Sequence, residues 1–396
     1  MGTLSRSRTG TYVTSSVAGE TVRAFDPFPL PPSPPLNLSK LYHSLDRANQ
    51  ELGRLDGFAT LLPLRHFLLM YMEKEALLSS QIEGTQSSFS DLLLFQNDGE
   101  PKASIYDVEE VSNYIRAMRS GLKRMEEGFP LSLRLLREIH RELLRGNRGA
   151  NKTPGEFRKS QNWIGGTRPG TAAFVPPPPE RLMDCLDKFE RFLHDDQNQL
   201  PLLVSIGMIH VQFETIHPFL DGNGRLGRLL ITFLLCSKGV LKEPLLYLSL
   251  YFKTHRERYY DLLQRVRTEG VWEEWLEFFL EGIETTAKSA SDTARKIVAL
   301  FEKDRKKIEA NRGRGLPNTL RVHEHLQKGP VASVDRIAKN LDLAAPTVDK
   351  ALQTLIQLGI VREMTGRRRN RFFAYSRYLK ILSEGTEPLR PAAEQP

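Results

Sequence analysis

His217-Pro218-Phe219-Leu220-Asp221-Gly222-Asn223-Gly224-Arg225-Leu226-Gly227-Arg228 gathers a base, a carboxylate, two glycines about an amide and two arginines into one loop and the helix after it. Gly222 and Gly224 permit left-handed backbone, so successive N–H groups can converge on an anion where the helix dipole also favours negative charge. Arg225 and Arg228 are three residues apart, lie on one helix face and can reach one polyphosphate as bidentate donors. Asp221 is suited to hold a hydrated Mg²⁺ that bridges two phosphates. His217 supplies an imidazole, a side chain suited to take the proton from an attacking hydroxyl, a step that general-base catalysis accelerates by about 10²- to 10⁴-fold. His-Pro and Gly-Asn-Gly turns each occur in ordinary loops; the whole set in one stretch points to nucleotidyl or phosphoryl transfer.

Outward from this run the periodicity is helical. Residues 201–215 deliver the chain to His217, and residues 225–237 leave it as a mostly apolar helix, suited to a buried central element. Residues 38–62, 63–78, 108–127, 132–144 and 181–194 carry apolar side chains at helical spacing, so a mainly α bundle is expected. Residues 1–36 read as an extended Pro-rich arm, lying across the domain or a partner subunit, or else disordered. Residues 155–179 break the rhythm with glycines and four consecutive prolines. Trp163-Ile164 and Phe174-Val175 are β-prone pieces either side of a turn, read as a hairpin, although composition alone favours a plain surface loop.

The 396 residues allow two or three domains, at about 150 residues each. A net charge of +8 permits nucleotide or nucleic-acid contact. Cys185 and Cys236 are the only cysteines and both read as helix interior, which leaves no disulfide framework or zinc site and suits a reducing cytosol. The longest nearly apolar stretch, 229–235, is far short of the roughly 18 to 20 residues of a membrane span, and no apolar segment follows Arg6 and Arg8 to make a secretory signal. The segmentation expected is an arm (1–36), an N-terminal helical region (37–128), a catalytic core (129–285), a charged helical linker (286–315), a second compact unit (316–384) and a disordered tail (385–396).

The central run matches HPFxxGNGRxxR and resembles the Fic family signature. The resemblance implies a Fic helical core with a β-hairpin flap and an AMP transferase using ATP and Mg²⁺. In it His217 is the base, Gly222, Asn223 and Gly224 hold phosphates, Asp221 holds the metal, and Arg225 and Arg228 neutralise the leaving charge. A glycine at 224 fits adenylylation, since phosphate-transferring toxin relatives carry lysine there. Residues 247–260 resemble the segment that lines the base, with Tyr251 and His255 as nucleotide contacts. His255 stands where asparagine is expected, which leaves UTP or GTP use open. Tyr259 or Tyr260 is expected to pack instead.

Phe157-Arg158, Trp163, Ile164, Phe174 and Val175 resemble the family's flap, which implies strand addition by an extended target whose hydroxyl is presented to His217. Ser79-Ser80-Gln81-Ile82-Glu83-Gly84 would alone read as a helix end stopped by Gly84. It also resembles the family's inhibitory motif [S/T]xxxE[G/N], which implies that Ser79 and Glu83 restrain the site, Glu83 competing with the γ-phosphate for Arg228. Removal of AMP at the same site is also chemically open, and a homodimer is what related two-part proteins suggest.

Residues 319–327, 334–341 and 347–358 have helix-turn-helix spacing, with a strand pair at 360–364 and 371–375; the pattern resembles a winged helix. Thr347 and Lys350 with Arg367, Arg368, Arg369 and Arg371 are the DNA-contact candidates, and Asp349 weakens that case. Winged helices also dock proteins. Two functions therefore stand: an autoinhibited adenylyltransferase acting on a protein hydroxyl, and a DNA-binding regulator with a nucleotide-sensing core.

Overall fold

A computed structural model describes residues 9–17, 19–61, 64–146, 149, 151–311, 313, 315–367 and 371–389. The chain opens with β1 (Gly10–Val17) and β2 (Glu20–Pro27), an antiparallel pair in register from Gly10–Pro27 to Val17–Glu20. The helices that follow are α1 (Tyr42–Leu61), α2 (Leu64–Ile82), α3 (Phe89–Gln96), α4 (Ile105–Glu126), α5 (Leu133–Leu143), α6 (Pro179–Leu193), α7 (Leu202–Ile216) and α8 (Asn223–Ser237). Next come α9 (Ser249–Thr254), α10 (Arg256–Glu269), the 39-residue α11 (Trp272–Ala310) and α12 (Leu316–Lys328). The end of the chain carries β3 (Val331–Ser333), α13 (Val334–Leu341), α14 (Ala345–Gln357), β4 (Val361–Glu363), β5 (Phe372–Tyr375) and α15 (Ser376–Leu382). The protein is mainly helical, as its periodicity implies.

Two compact units interleave along the chain. The first comprises Met1–Gly53, Asn113–Pro244 and Tyr251–Thr286; the second comprises Arg54–Ser112, Leu245–Leu250 and Ala287–Pro396. Their limits fall inside α1, α4 and α11. The charged stretch at 302–307, within the expected helical linker, is helix in α11, because Glu, Lys and Arg are good helix formers and Asp304 and Ile308 bury one face.

In the first unit, α7 is the core. Every residue from Leu203 to Ile216 is buried. α8 packs beside it so closely that a methyl on Gly227 would collide with Glu214 Oε1. Trp275 of α11 is fully buried and donates its indole N–H to Gly207 O of α7 at 2.9 Å. Residues 10–17 and 19–27 depart from a simple arm: the alternation in Thr11–Val17 and a turn at Gly19 (φ 80°) fold them back as a hairpin, with Ala24 and Phe25 buried.

In the second unit, Ser249 Oγ donates to Glu75 Oε1 at 2.5 Å, and Tyr71 OH donates to Ala290 O at 2.7 Å. β3, β5 and β4 form a three-stranded antiparallel sheet in that order, beside α12, α13 and α14. Part of the expected disordered tail is ordered: Thr386 is buried, because its carbonyl accepts from Gln81 Nε2 at 2.9 Å.

Candidate active site

α7 ends at His217, whose φ of 48° makes it a left-handed, non-glycine C-cap; its N–H donates to Phe213 O at 2.9 Å. Such a backbone is uncommon outside glycine and needs surrounding structure to hold it. Arg158 supplies much of that. Its Nε donates to His217 O at 3.0 Å and its Nη2 to Pro177 O at 2.6 Å and Ile216 O at 3.4 Å. Burial lowers the Arg158 pKa to about 10, and the carbonyls at the negative end of α7 stabilise the charge. His217 Nδ1 faces Glu214 O at 3.4 Å and Glu214 Oε2 at 4.0 Å. A proton on Nδ1 directed there leaves Nε2 as the basic nitrogen.

The loop after His217 is fastened from inside. Asn223 Oδ1 accepts from Phe219 N at 2.9 Å and its Nδ2 donates to Phe219 O at 2.8 Å, so both side-chain polar atoms close the loop. Phe219 is fully buried and stacks on His140 at 3.8 Å. His140 Nδ1 accepts the Gly155 N–H at 2.8 Å, which makes Nε2 the protonated nitrogen that donates to Asp221 O at 2.9 Å. Burial brings the His140 pKa down to about 4, so the ring is neutral.

α8 begins at Gly222, whose φ of 76° and missing side chain leave an uncapped helix N-terminus. The Asn223 and Gly224 N–H groups there have no protein acceptor among the described residues. Gly224 lies in the first helical turn, so the left-handed pair of glycines expected from sequence is one glycine; the anion-binding geometry is that of a helix start. Arg225 and Arg228, 6% and 2% exposed, follow within α8. Asp221 Oδ1 accepts the Gly222 N–H at 2.6 Å and lies 3.5 Å from Arg225 Nη2, while its side chain is 43% exposed. One carboxylate oxygen is thus committed, and Oδ2 lies 2.8 Å from where a Cβ on Gly149 would stand. No cluster of three or more His, Cys, Asp or Glu suited to a metal occurs among the described residues. A single carboxylate at a phosphate site is the pattern of Mg²⁺ completed by phosphates and water, so Asp221 fits that ion.

Two further buried groups escaped sequence reasoning. His210 Nδ1–H donates to Gly227 O at 3.0 Å and its Nε2 accepts from Tyr259 OH at 2.9 Å, tying α7, α8 and α10 together; burial lowers its pKa to about 3. Arg267 donates to Glu214 O and Thr215 Oγ1, both at 3.2 Å, and lies 4.1 Å over the Phe174 ring. With Arg158 it grips the last turn of α7 from the flap side. A hydrophilic residue inside an apolar helical stripe is the only sequence signal for such groups.

The flap is a single antiparallel bridge, with Ile164 N to Phe174 O at 2.8 Å and Phe174 N to Ile164 O at 3.1 Å. Phe174 and Val175 are buried, and Trp163 is 37% exposed. Tyr251 is buried 4.3 Å from His255 and 4.9 Å from Phe278, and His255 is exposed at the head of α10. Tyr259 is core and Tyr260 surface. In the second unit, Ser79 is buried near the end of α2, and Glu83 is exposed just beyond it, before Gly84 at φ 107°. Thr347 and Lys350 line a recess of about 510 Å³ bounded also by Ile308, Leu316 and Thr354. Arg371 pairs with Asp349, and Arg367 with Glu100 at 2.6 Å. Arg368 and Arg369 lie outside the described residues.

Residues 42–123 match a model of the Fic/DOC family N-terminal region and residues 130–235 a model of the Fic/DOC family, so the chain carries a Fic N-terminal and a Fic domain over those stretches. It is 36% identical over 160 residues to a protein adenylyltransferase Fic from Culex quinquefasciatus, covering 39% of this chain and 28% of that protein. A protein adenylyltransferase Fic from Drosophila grimshawi is 29% identical over 207 residues, covering 50% and 39%. The matches therefore span well under half of these curated relatives. Among solved structures, a Fic family protein from Desulfovibrio desulfuricans G20 superposes with a TM-score of 0.53 at 19% identity, over 84% of this chain and 96% of that one. A Fic domain containing signaling protein from Bacteroides thetaiotaomicron gives 0.51 at 20%, over 63% and 98%. At these identities the likeness concerns the fold. No helix among the described residues is long and apolar enough to cross a membrane.

Proposed function

We propose that this chain transfers AMP from ATP to a Ser, Thr or Tyr hydroxyl of a protein, itself included, under restraint by Glu83. The observation that carries the reading is the α7–α8 junction: a basic imidazole at the end of one buried helix, followed within six residues by an uncapped helix N-terminus that carries Arg225 and Arg228.

His217 Nε2 takes the hydroxyl proton. The oxygen attacks the α-phosphorus, the bond to the β-phosphate oxygen breaks, and pyrophosphate leaves. The Asn223 and Gly224 N–H groups hold phosphate oxygens, and Arg225 and Arg228 offset the charge on the departing group. Preorganised donors of this kind usually supply the largest share of barrier reduction. Mg²⁺, held by Asp221, supplies further neutralisation of the phosphates when bound. Glu83 competes with the γ-phosphate for Arg228, so ATP sits misaligned until the carboxylate moves away. Hydrolytic removal of AMP uses the same groups. The two free cysteines suit a reducing cytosol, and a homodimer is the assembly the family resemblance suggests.

Incubation with ATP labelled at the α-phosphorus tests the reading. Label should enter protein with the wild type and fall by at least about 10²-fold with His217→Ala, the general-base contribution. Equal incorporation by both would refute it.

A second reading, a DNA-binding regulator, draws support from the α12–β3–α13–α14–β4–β5 order, which is that of a winged helix. The pairing of Arg371 and Arg367 with carboxylates weighs against it. A gel shift that weakens with added salt would support DNA contact, and its absence would leave a docking role.

A further inference from the structure

Residues 10–27 precede both family-matched stretches, which begin at residue 42, and the proposed chemistry makes no use of them. Their contacts converge on the flap. At the turn end, Glu20 Oε1 lies 3.1 Å from Arg168 Nη1, and Oε2 accepts the Gly170 N–H at 2.8 Å. Gly170 makes this approach possible, since a methyl there would collide with the carboxylate. Along its length Val17, Val22 and Ala24 pack on Val175, with Val13 and Ala172 alongside. The open end is moored elsewhere: Thr9 Oγ1 donates to Arg267 O, and Phe28 O accepts from Gln212 Nε2, each at 2.9 Å.

The flap has two edges. Ile164 and Phe174 face each other, so the backbone groups of their neighbours point outward. On the Phe174 side both outward carbonyls are taken, Val175 O by Phe25 N at 2.9 Å and Ala173 O by Gln264 Nε2 at 3.3 Å. On the Ile164 side the outward N–H and C=O of Trp163 have no protein partner among the described residues.

We infer that the β1–β2 hairpin is a clamp that fixes the flap and closes one of its edges, with Glu20 as the latch, so that an extended acceptor segment adds only along Trp163. Arg267 extends the connection, because its carbonyl holds Thr9 while its guanidinium sits between Phe174 and the α7 turn that ends at His217. The acceptor part of this inference rests on the proposed transferase reading; the clamp does not. Glu20 is a positioning residue, since it touches the flap and no reacting atom.

The test uses the full chain with Glu20→Gln, which keeps an acceptor for Gly170 N–H but loses the ion pair, and Glu20→Ala, which loses both. Glu20 is partly exposed, and its replacement leaves the buried core intact. Hydrogen–deuterium exchange at the Ile164, Gly170 and Phe174 amides should quicken about three- to tenfold in Glu20→Ala and less in Glu20→Gln, the range that one exposed ion pair and one hydrogen bond can supply. With dephosphorylated casein as an unfolded acceptor, the KM for casein should rise while the KM for ATP stays unchanged. Unchanged exchange in both variants would overturn the clamp, and an equal rise in both KM values would overturn its role at the acceptor edge. Exchange is read without turnover, so a wild type that transfers no AMP would refute the proposed activity and leave the clamp to be judged by exchange alone.

Discussion

His140 holds the Asp221 carbonyl through a 2.9 Å hydrogen bond from Nε2, and the Gly155 N–H on Nδ1 fixes the tautomer that makes this possible. The main chain on which the metal-binding candidate sits is thus steadied by a buried ring from α5. His140→Phe keeps the stacking on Phe219 and removes the hydrogen bond. It should cut AMP transfer by about 10- to 100-fold, the usual effect of losing a supporting partner, with a matching rise in the Mg²⁺ concentration needed. An unchanged Mg²⁺ dependence would contradict this role.

The same ring makes stability sensitive to acid. The His140 pKa is about 4 in the folded protein against an ordinary 6.5, so the unfolded chain binds the extra proton first as pH falls. Its contribution is whole above about pH 6.5 and drains away between there and about pH 4. His210, at about 3, and His323, at about 4, act in the same direction. Denaturant titrations at pH 7.5 and 4.5 should show a smaller loss of stability in His140→Phe than in the wild type. Parallel losses would contradict the assignment.

Arg158 joins the flap exit at Pro177 to the carbonyls of Ile216 and His217 with one planar group. Lysine cannot reproduce that fork. Arg158→Lys should lower kcat by about tenfold or more through misplacement of His217 while ATP affinity holds, as steady-state kinetics against calorimetric binding would reveal. A kcat within twofold of wild type would show that the imidazole needs no such support.

Gly227→Ala places a methyl against Glu214 where α7 and α8 meet. Overpacking of this sort costs about 1–3 kcal/mol, so Tm should fall by several degrees. An unchanged Tm would mean that the helices separate easily, and that Arg225 and Arg228 are less rigidly placed than described.

Much of this was legible in advance. The run from His217 to Arg228 gave the helix–loop–helix junction, because apolar helical stripes on either side of a Pro- and Gly-bearing loop leave few alternatives. Other features depend on partners distant in sequence. Asn223 reads as a ligand group, yet its side chain closes the loop on Phe219. His140 and His210 become interpretable only once Asp221, Gly155, Gly227 and Tyr259 surround them. The first strand pair was hidden by the prolines that follow it, although Thr11 to Val17 alternates as a strand should. The continuity of α11 across 285–286 was not legible, because the apolar pattern of the core gives way there to a charged helical stretch that reads as a separate segment.

The central claim is that the α-phosphorus is attacked by an oxygen activated at His217, with Glu83 as the restraint. Self-modification by Glu83→Gly should be followed in parallel with ATP labelled at the α- and the γ-phosphorus. The account predicts α-label in the protein at about 10²-fold above the wild type, the scale of correcting a misaligned substrate, no γ-label, and loss of the α-label when His217→Ala is added. Incorporation of γ-label, or α-label that survives the loss of His217, would contradict it.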